Sequence, residues 1–541
     1  MAIDQVRLPI SLLQSIPQLE SMQLRIMSDR LFVVLSKLCY AANSITPSNK
    51  LPPELLRTIF SFLCPGSHHN WEKSQIMPYK NLLAVSHVCR NWREIAATAT
   101  ELWAHIILGH NPRAEREVSI AQLCARRSGG RPLDFYITAA ASSVFDRLRV
   151  KELILDPRRL RNVVYGLAGE AAGKQLASFL LPALHVERLE IRSGVVSSLP
   201  TLFSGHAPYL RELVLSRCTP WPNNQFGSLT SLGLLDQEDP DTHIYSLLDI
   251  IRCSPHLEEF LLGRRLKPTK EPQLPPEREV PLISLRSLKR LQICRLSARA
   301  TRRLLGALDL LPNGISMGFS AISQELGATF PETITPEVSP RAATKLEVIY
   351  PPVHGVILHA TNGVAHTRWV QRSYPGNHQI FHWIAEKPHK VYPLKELRLH
   401  IEEDGFYEVP PPHTFRDLET LVIETDSDET FDSVVFPMLS PDEDGVPFPL
   451  LSMLELQNVF GVAKFGEVLK VRSDAGFRLR ALRMRWFDGC EAEMAPLAQF
   501  VDKLEFYYVD GKISRGLALP KECTVKKGLW EPWSLRFTHY D

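Results

Sequence analysis

The sequence predicts an α/β protein in which a small N-terminal helical region precedes an irregular solenoid of inner parallel strands and outer helices. Three patterns lead to this prediction. Apolar residues recur every seven positions within residues 8–45, and short segments between 51 and 107 place apolar residues on one helical face. A six-residue strand pattern then returns along the rest of the chain. We therefore divide the chain into residues 1–47, 48–107 and 108–541.

The charge of the chain is nearly balanced. Among its 541 residues, 62 are Lys or Arg and 60 are Asp or Glu, which gives a net charge of +2. This balance does not favour nucleic acid or an anionic membrane as a partner, and neither is predicted. The nine cysteines show no paired spacing, and neither a glycosylation sequon nor a secretory leader pattern occurs, so we expect a reduced cytoplasmic or nuclear protein.

Residues 1–47 contain one predicted amphipathic helix. Its apolar residues form two rows of seven-residue spacing: Leu12, Leu19, Ile26, Val33 and Tyr40, and beside them Leu24, Leu31 and Leu38. Such spacing is typical of a coiled coil, but Pro17 interrupts it. Packing of the helix against the next domain is the favoured interpretation, and self-association is the alternative.

Residues 48–107 are predicted to form short helices with wide apolar faces. Pro52 and Pro53 suit the first turn of LPPELLRTIFSFL, because a missing N–H costs nothing there. The helical-looking stretch LLAVSHVCRNWREIAATATELWAHI, residues 82–106, contains a His-x-Cys pair. Two positions on a helix differ by about 200°, so His87 and Cys89 cannot share an ion, and no metal site is predicted. Cys89 is interpreted as a small buried hydrophobe.

The order LPPELLRTIFSFL, VSHVCRNWREIA, ELWAHI resembles the F-box, the module that docks substrate receptors onto the Skp adaptor of cullin-RING ubiquitin ligases. The matching residues are Leu51, Pro52, Glu54, Leu55, Ile59, Phe60, Leu63, Val85, Ser86, Val88, Cys89, Arg90, Trp92, Arg93, Ile95, Ala96, Leu102 and Trp103. The loop between the first and second helices, residues 64–80, is longer than in the usual F-box pattern. This variation resembles the F-box proteins of mushroom-forming fungi.

This resemblance implies that the chain binds a Skp-family adaptor and, through it, a cullin. The implied adaptor-binding residues are Leu51, Pro52, Leu55, Ile59, Phe60, Leu63, Val85, Val88, Cys89, Trp92, Leu102 and Trp103. The size of the module also predicts a binding partner, without reference to the resemblance. About 50 residues have too little interior to bury so many large apolar side chains. In the alternative, these side chains pack only against the N-terminal helix and the domain that follows.

From residue 108 onward the sequence predicts repeats of strand, loop and helix. RSGGRPLDFYITAA at 127–140 contains the first strand, and a pattern with a central Leu follows as VKELIL (150), VERLEI (186), LRELVL (210), LTSLGL (229), LEEFLL (257), LKRLQI (288), LKELRL (394), LETLVI (418), LSMLEL (451), LRALRM (479) and VDKLEF (501). Weaker candidates are GISMGFS (314), TKLEVIY (344) and GVILHA (355). Residues 246–257 and 299–311 read as returning helices.

Most intervals between central residues lie near the 20 to 29 residues of a leucine-rich repeat. This resembles the degenerate leucine-rich repeats of F-box receptors and implies a parallel sheet on the concave side with helices outside. The fuller repeat places Asn or Cys after each strand, and Cys218 is the clear example, so the remaining turns need other support. A mixed α/β domain of another kind is the alternative.

No arrangement of residues predicts catalysis or a cofactor. GLAGEAAGK at 166–174 lacks the spacing of a phosphate-binding loop, and no nucleophile elbow occurs. Acidic residues do cluster in late loops, where solvated loop charge is the commoner meaning; binding of a basic ligand, with these residues as target-binding residues, is the alternative. They are Glu402, Glu403, Asp404, Asp426, Asp428, Glu429, Asp442, Glu443 and Asp444.

Together these patterns predict a non-catalytic protein that binds other proteins. The favoured function is the substrate-recognition subunit of a Skp–cullin–F-box ubiquitin ligase, with the adaptor on the F-box and a protein target on the repeats. One alternative is an F-box scaffold with no role in ubiquitylation. The other is an unrelated repeat protein whose helical start only caps the repeats.

Overall fold

The computed structural model divides into two compact units. The first comprises Met1–Tyr136 and Leu148–Arg159, and the second Ile137–Arg147 and Leu160–Asp541. The residues that the structure describes are 21–63, 78–108, 114–137, 157–167, 185–198, 201–205, 207–219, 226–238, 240–265, 275–276, 278–310, 315–320, 343–350, 356–363, 365–371, 394–401, 415–425, 431–443, 445–457, 462–485 and 494–507. Within these ranges, no helix has both the length and the apolar character needed to cross a membrane.

The first unit consists mainly of helices. Its elements are α1 Ser21–Ile45, α2 Pro53–Ser61, α3 Pro78–Val88, α4 Arg90–Thr98, β1 His105–Leu108, α5 Ala114–Arg127 and β2 Leu133–Ile137. Strand β1 pairs with β2, and the guanidinium of Arg127 lies 4.4 Å from the ring centre of Trp103. The first unit therefore extends beyond residue 107, the domain boundary predicted from the sequence.

Helix α1 does not pack as the favoured interpretation expects. It is 25 residues long, and none of its residues is buried. Large apolar side chains stay exposed along its length, including Phe32 and Leu38. Burial of the apolar rows against the next domain is therefore wrong for residues 21–45. Leu12, Pro17 and Leu19 lie outside the described residues.

Residues 82–106 do not form one helix. Helix α3 ends at Val88, Cys89 is extended with φ −155° and ψ 171°, and α4 begins at Arg90. A 3-10 turn, Thr100–Trp103, then leads into β1. The argument from helical rotation therefore does not apply to Cys89, because this residue lies between two helices.

One large sheet dominates the second unit and confirms the α/β class. The strands of the unit are β3 Leu160–Leu167, β4 Arg188–Ser198, β5 Glu212–Thr219, β6 Ser231–Gln237, β7 Glu259–Arg264, β8 Ile283–Ser284, β9 Arg290–Cys294, β10 Leu308–Asp309, β11 Ser316–Ser320, β12 Lys345–Tyr350, β13 Val356–Thr361, β14 His366–Gln371, β15 Glu396–Ile401, β16 Thr420–Thr425, β17 Met453–Leu456, β18 Leu479–Arg485 and β19 Val501–Tyr507. The short strands β8 and β10 pair with each other in a separate sheet. The others lie in the order β3-β4-β5-β6-β7-β9-β11-β14-β13-β12-β15-β16-β17-β18-β19.

The six-residue pattern forms these strands, and its central residues are direct partners across the sheet. One series is Leu189, Leu213, Leu232, Phe260, Leu291 and Met317, and a second is Leu346, Leu397, Leu421, Leu454, Leu482 and Leu504. All of them except Leu504 are buried. Because successive side chains of a strand point to opposite faces, this register defines one apolar face of the sheet. The instance VKELIL lies outside the described residues.

A hairpin interrupts the parallel order. Strand β13, which contains the candidate GVILHA, runs antiparallel to both β12 and β14. Strand β14 then pairs in parallel with β11, and β12 pairs in parallel with β15. The expectation of a wholly parallel sheet is therefore wrong at 356–371, where a short turn joins neighbouring strands without a returning helix.

The turns after the strands lack a regular Asn series and are supported differently. Cys218 is fully buried, as expected. At the equivalent position of the next repeat, the buried Gln237 amide donates to the carbonyls of Leu215 and Leu235. Arg217 and Asp236, which precede these two residues, have φ of 56° and 49°. The Gln237 side chain thus makes the turn hydrogen bonds expected of Asn. The residues before Cys218 and Gln237 adopt a left-handed backbone conformation that is uncommon for residues other than glycine.

Among the described residues of the second unit, four helices lie between strands. They are α6 Ile244–Arg252, α7 Ala298–Gly306, α8 Phe436–Leu439 and α9 Val462–Asp474. The first two confirm the helices expected near 246–257 and 299–311. Ser297 caps α7 by accepting from the Ala300 N–H, which satisfies one of the donors that a helix start leaves unpaired.

Candidate functional site

The first unit presents a row of exposed apolar side chains along α2 and the residues next to it. Leu55 is 52% exposed, Ile59 45% and Phe62 81%, and Leu51 is exposed just before the helix. Residues spaced by three and four positions share one side of a helix. Val88, at the end of α3, adds another exposed apolar side chain. We call Leu51, Leu55, Ile59, Phe62 and Val88 the docking row.

Other predicted adaptor-binding residues form the interior of the same unit. Phe60, Val85, Cys89, Leu102 and Trp103 are all buried. The ring centre of Phe60 lies 5.2 Å from that of Trp92, with the two rings tilted by 57°, and Trp92 is half-buried. In the unbound chain little of these side chains is accessible, which favours a supporting role for them, and their assignment as adaptor-binding residues stays a prediction. Pro52 is exposed at the start of α2, and Leu63 is half-buried at its end.

The neighbouring residues Leu55 and Leu56 show why the sequence could not separate these roles. Leu56 is 1% exposed and Leu55 is 52% exposed, although both are leucines in one helix. Phe62 was missed, even though its position three residues after Ile59 places it on the same side. We include Phe62 in the docking row because its large aromatic ring is exposed.

Cys89 and Arg93 hold the junction between α3 and α4. The Cys89 sulfur accepts from the Trp92 N–H at 3.4 Å, so it caps α4, and its thiol faces Asn49 Oδ1 at 3.7 Å. Arg93 Nε donates to the Ser86 carbonyl near the end of α3. Trp103 Nε1 donates to the Ala96 carbonyl at 2.7 Å. These contacts hold α3, α4 and the 3-10 turn after α4 together.

Most of the predicted acidic target-binding residues lie outside the described residues: Glu402, Glu403, Asp404, Asp426, Asp428, Glu429 and Asp444. Asp442 and Glu443 are described, in a tight turn where the Asp442 and Gly445 backbones exchange hydrogen bonds of 3.1 and 3.2 Å. Asp442 and Glu443 are both exposed at this turn. The structure thus places two predicted carboxylates where a ligand could reach them.

The polar face of the sheet carries acids and bases in alternation. Arg188 lies opposite Glu212, Glu259 opposite Arg290, and Arg483 opposite Glu505, each on neighbouring strands. The corresponding ion pairs measure 3.6, 3.0 and 2.6 Å. Since each carboxylate has a basic partner, this face has specific hydrogen-bonding groups without a strong field of one sign.

Two histidines and two glutamates form a buried cluster on the polar face beside the hairpin. Glu347 Oε2 lies 2.7 Å from His359 Nδ1, and Glu347 Oε1 lies 2.9 Å from His400 Nε2. The other nitrogen of His400 lies 2.5 Å from Glu424 Oε2. Arg368 Nε donates to His359 Nε2 at 3.1 Å. We call Glu347, His359, Arg368, His400 and Glu424 the histidine cluster.

The pKa values of the two histidines are shifted in opposite directions. Burial, the largest influence, lowers the pKa of His359, whose Nε2 accepts from Arg368. Burial also opposes the charged form of His400, but hydrogen bonds to Glu347 and Glu424 prevail and raise its pKa. Burial alone would raise the pKa of Glu347, yet its hydrogen bonds with both histidines hold that pKa well below its usual range. Both ring nitrogens of His400 thus face carboxylate oxygens, an arrangement that favours its charged form.

The stability of the second unit should fall as pH rises above about 6.5, the usual pKa of histidine. His400 binds its proton more tightly in the folded state, so its contribution is complete below that pH and is lost as pH rises through the raised pKa. Thermal unfolding between pH 6 and 8.5 should show this decline in the wild type and a flatter profile in His400→Gln. The same dependence of stability on pH in the wild type and in His400→Gln would contradict a stabilising role of the His400 proton. His400→Gln should also cost on the order of 3 kcal/mol, since it removes the charged member of a largely buried ion-pair cluster.

Comparison with known protein families agrees with the geometry of the first unit. Residues 48–109 match the family model described as F-box-like. The match includes α2, α3, α4 and β1, and therefore the whole docking row. No curated protein matches the chain. The family match supports an F-box in the N-terminal part of the chain, a module through which proteins interact with one another.

Proposed function

We propose that this chain is the substrate-recognition subunit of a Skp–cullin–F-box ubiquitin ligase. The observation that carries the proposal is the docking row, which lies inside the F-box-like match. Its members on α2 and beside it, Leu51, Leu55, Ile59 and Phe62, are spaced by three and four positions and offer a partner an exposed apolar surface. The F-box would bind a Skp-family adaptor, and the adaptor would bring a cullin.

The second unit would then be an irregular leucine-rich repeat domain that holds the target protein. Its support is the repeated strand geometry. In most of the described repeats, the carbonyl two residues before the central residue accepts from the next strand, as Glu187 does from Arg211 and Arg211 from Thr230. Exposed loop carboxylates such as Glu443 would favour a basic segment of the target.

The proposed mechanism needs no catalytic group from this chain. By holding a target lysine near the ubiquitin-conjugating enzyme, the receptor raises the effective concentration of the two reactants. The acid, base and nucleophile come from the other subunits. Adaptor binding and target binding would therefore be separable by mutation.

A reconstituted ubiquitylation reaction tests the proposal. Proximity labelling with the full chain identifies candidate targets, and each is incubated with the Skp adaptor, cullin, RING subunit and conjugating enzymes. We expect ubiquitin transfer that depends on this chain and is lost in Ile59→Glu. Adaptor binding without ubiquitylation of any labelled protein would favour the scaffold alternative.

A further inference from the structure

We propose that α1 joins two copies of this chain through a parallel two-stranded coiled coil. The starting point is the exposure of this helix, which extends over 25 residues with no buried residue. Monomeric proteins rarely leave a long apolar surface uncovered. The inference does not depend on the proposed ligase function, because it concerns a different helix and a different partner.

The spacing along α1 selects a coiled coil. Leu24, Leu31, Leu38 and Ile45 are seven residues apart, and Met27, Val34 and Ala41 follow three residues after the first three of them. These are the a and d positions of a heptad repeat, which meet in the seam between two helices. The helix holds about three and a half heptads, the length at which such a pattern becomes significant. Pro17, at the preceding a position, marks where the repeat starts.

The charges beside the seam favour a second copy in parallel orientation. The g positions are Gln23, Arg30 and Lys37, and the e positions are Ser28, Leu35 and Ala42. In a parallel pair each g side chain meets an e side chain of the other helix, so Arg30 and Lys37 lay their aliphatic stems over Leu35 and Ala42. An antiparallel pair would bring Arg30 against Lys37 of the other copy, and like charges repel.

A second apolar row does not compete with this seam. Ile26, Val33 and Tyr40 occupy c positions, about 200° around the helix from the leucines. The positions that would complete a seam with them hold Asp29, Ser36 and Asn43, which are polar. The leucine row is therefore the better dimer surface, and the c row provides a matched control.

The C-terminal end of α1 is tied to the F-box-like module. Asn49, in the turn after the helix, donates from Nδ2 to the Asn43 carbonyl at 2.7 Å, and its Oδ1 faces the Cys89 thiol at 3.7 Å. Cys89 in turn caps α4. Pairing of two α1 helices would thus hold two modules, each with its own docking row, in one assembly.

Light scattering on the purified full chain at about 10 µM tests the inference. We expect twice the chain mass of 61.3 kDa. Leu31→Glu/Leu38→Glu places four carboxylates in the seam of a dimer and should weaken association by roughly 100-fold or more, giving the mass of one chain. Ile26→Glu/Val33→Glu adds the same charge to the same helix and should stay dimeric. A monomeric wild type, or equal masses for the two variants, would overturn the inference.

Two further measurements separate this dimer from other outcomes. In a Cys39→Ser background, Leu24→Cys should form a disulfide-linked dimer on oxidation, since parallel a positions meet; failure to cross-link would overturn the parallel arrangement. Co-flotation of a monomeric wild type with phosphatidylserine vesicles would assign the helix to a membrane surface and overturn the proposal. Adaptor binding by Leu31→Glu/Leu38→Glu, unchanged from wild type, would show that the module stays folded.

Discussion

Replacing Ile59 with glutamate should weaken binding of the Skp adaptor by about 2 kcal/mol or more, which is roughly 30-fold in the dissociation constant. Ile59 lies in the middle of the docking row, between Leu55 and Phe62, and is 45% exposed in the unbound chain. In a complex its side chain would be covered, so a charge there would be buried without a partner. Calorimetric titration of the purified full chain with the adaptor measures the loss.

A matched control separates this effect from a general change in the surface. Leu450 is a leucine of the second unit with 56% exposure, and Leu450→Glu adds the same charge outside the docking row. This variant should bind the adaptor as the wild type does. If Ile59→Glu binds normally, or if both variants lose affinity equally, the docking row is not the adaptor surface.

Replacing Trp103 with alanine should destabilise the first unit by about 3 to 5 kcal/mol, the range for removal of a buried large aromatic side chain. Trp103 is fully buried, its indole N–H donates to the Ala96 carbonyl, and the Arg127 guanidinium covers its ring. The substitution leaves a cavity and a carbonyl without its donor. Urea unfolding of the full chain measures the change in the free energy of unfolding.

Phe62→Ala, in the same module, should affect adaptor binding and leave stability nearly unchanged. Phe62 is 81% exposed, so its truncation should change the free energy of unfolding by less than about 0.5 kcal/mol. The same variant should bind the adaptor more weakly, because it removes a member of the docking row. Equal stability losses in Trp103→Ala and Phe62→Ala would contradict the division between support and contact.

The strands of the second unit were predictable because their pattern is local. An apolar residue at every second position, with Leu213 or Leu421 at the centre, specifies both a strand and the face it buries. The hairpin at β13 was not predictable in this way, since Leu358 belongs to the same kind of pattern as its parallel neighbours. Strand direction depends on the connection between strands, which the pattern does not contain.

Contacts between distant residues were also beyond the sequence. Glu347 and His400 are 53 positions apart and meet because β12 and β15 are neighbours in the sheet. Gln237 was passed over because the repeat pattern expects Asn or Cys, although its amide reaches the Leu215 carbonyl. In both cases a polar residue in or just after a strand was the available clue, and knowledge of the strand order was needed to use it.

In the F-box region, too, the sequence predicts the module but not which of its apolar side chains are buried. The residue order between 51 and 103 predicted the module, and the F-box-like match supports it. Burial then divided the predicted surface, placing Phe60 and Trp103 inside and leaving Leu55 and Ile59 outside. Hydrophobicity alone cannot make this division, because side chains of both groups are large and apolar.

Direct titration of the wild-type chain with a purified Skp-family adaptor tests the central claim, that the N-terminal module is an adaptor-binding F-box. We expect a complex with one adaptor for each chain and a dissociation constant of about 1 µM or tighter. This complex should survive gel filtration, whether the chain is a monomer or a dimer. Absence of binding at adaptor concentrations of about 100 µM would contradict the claim.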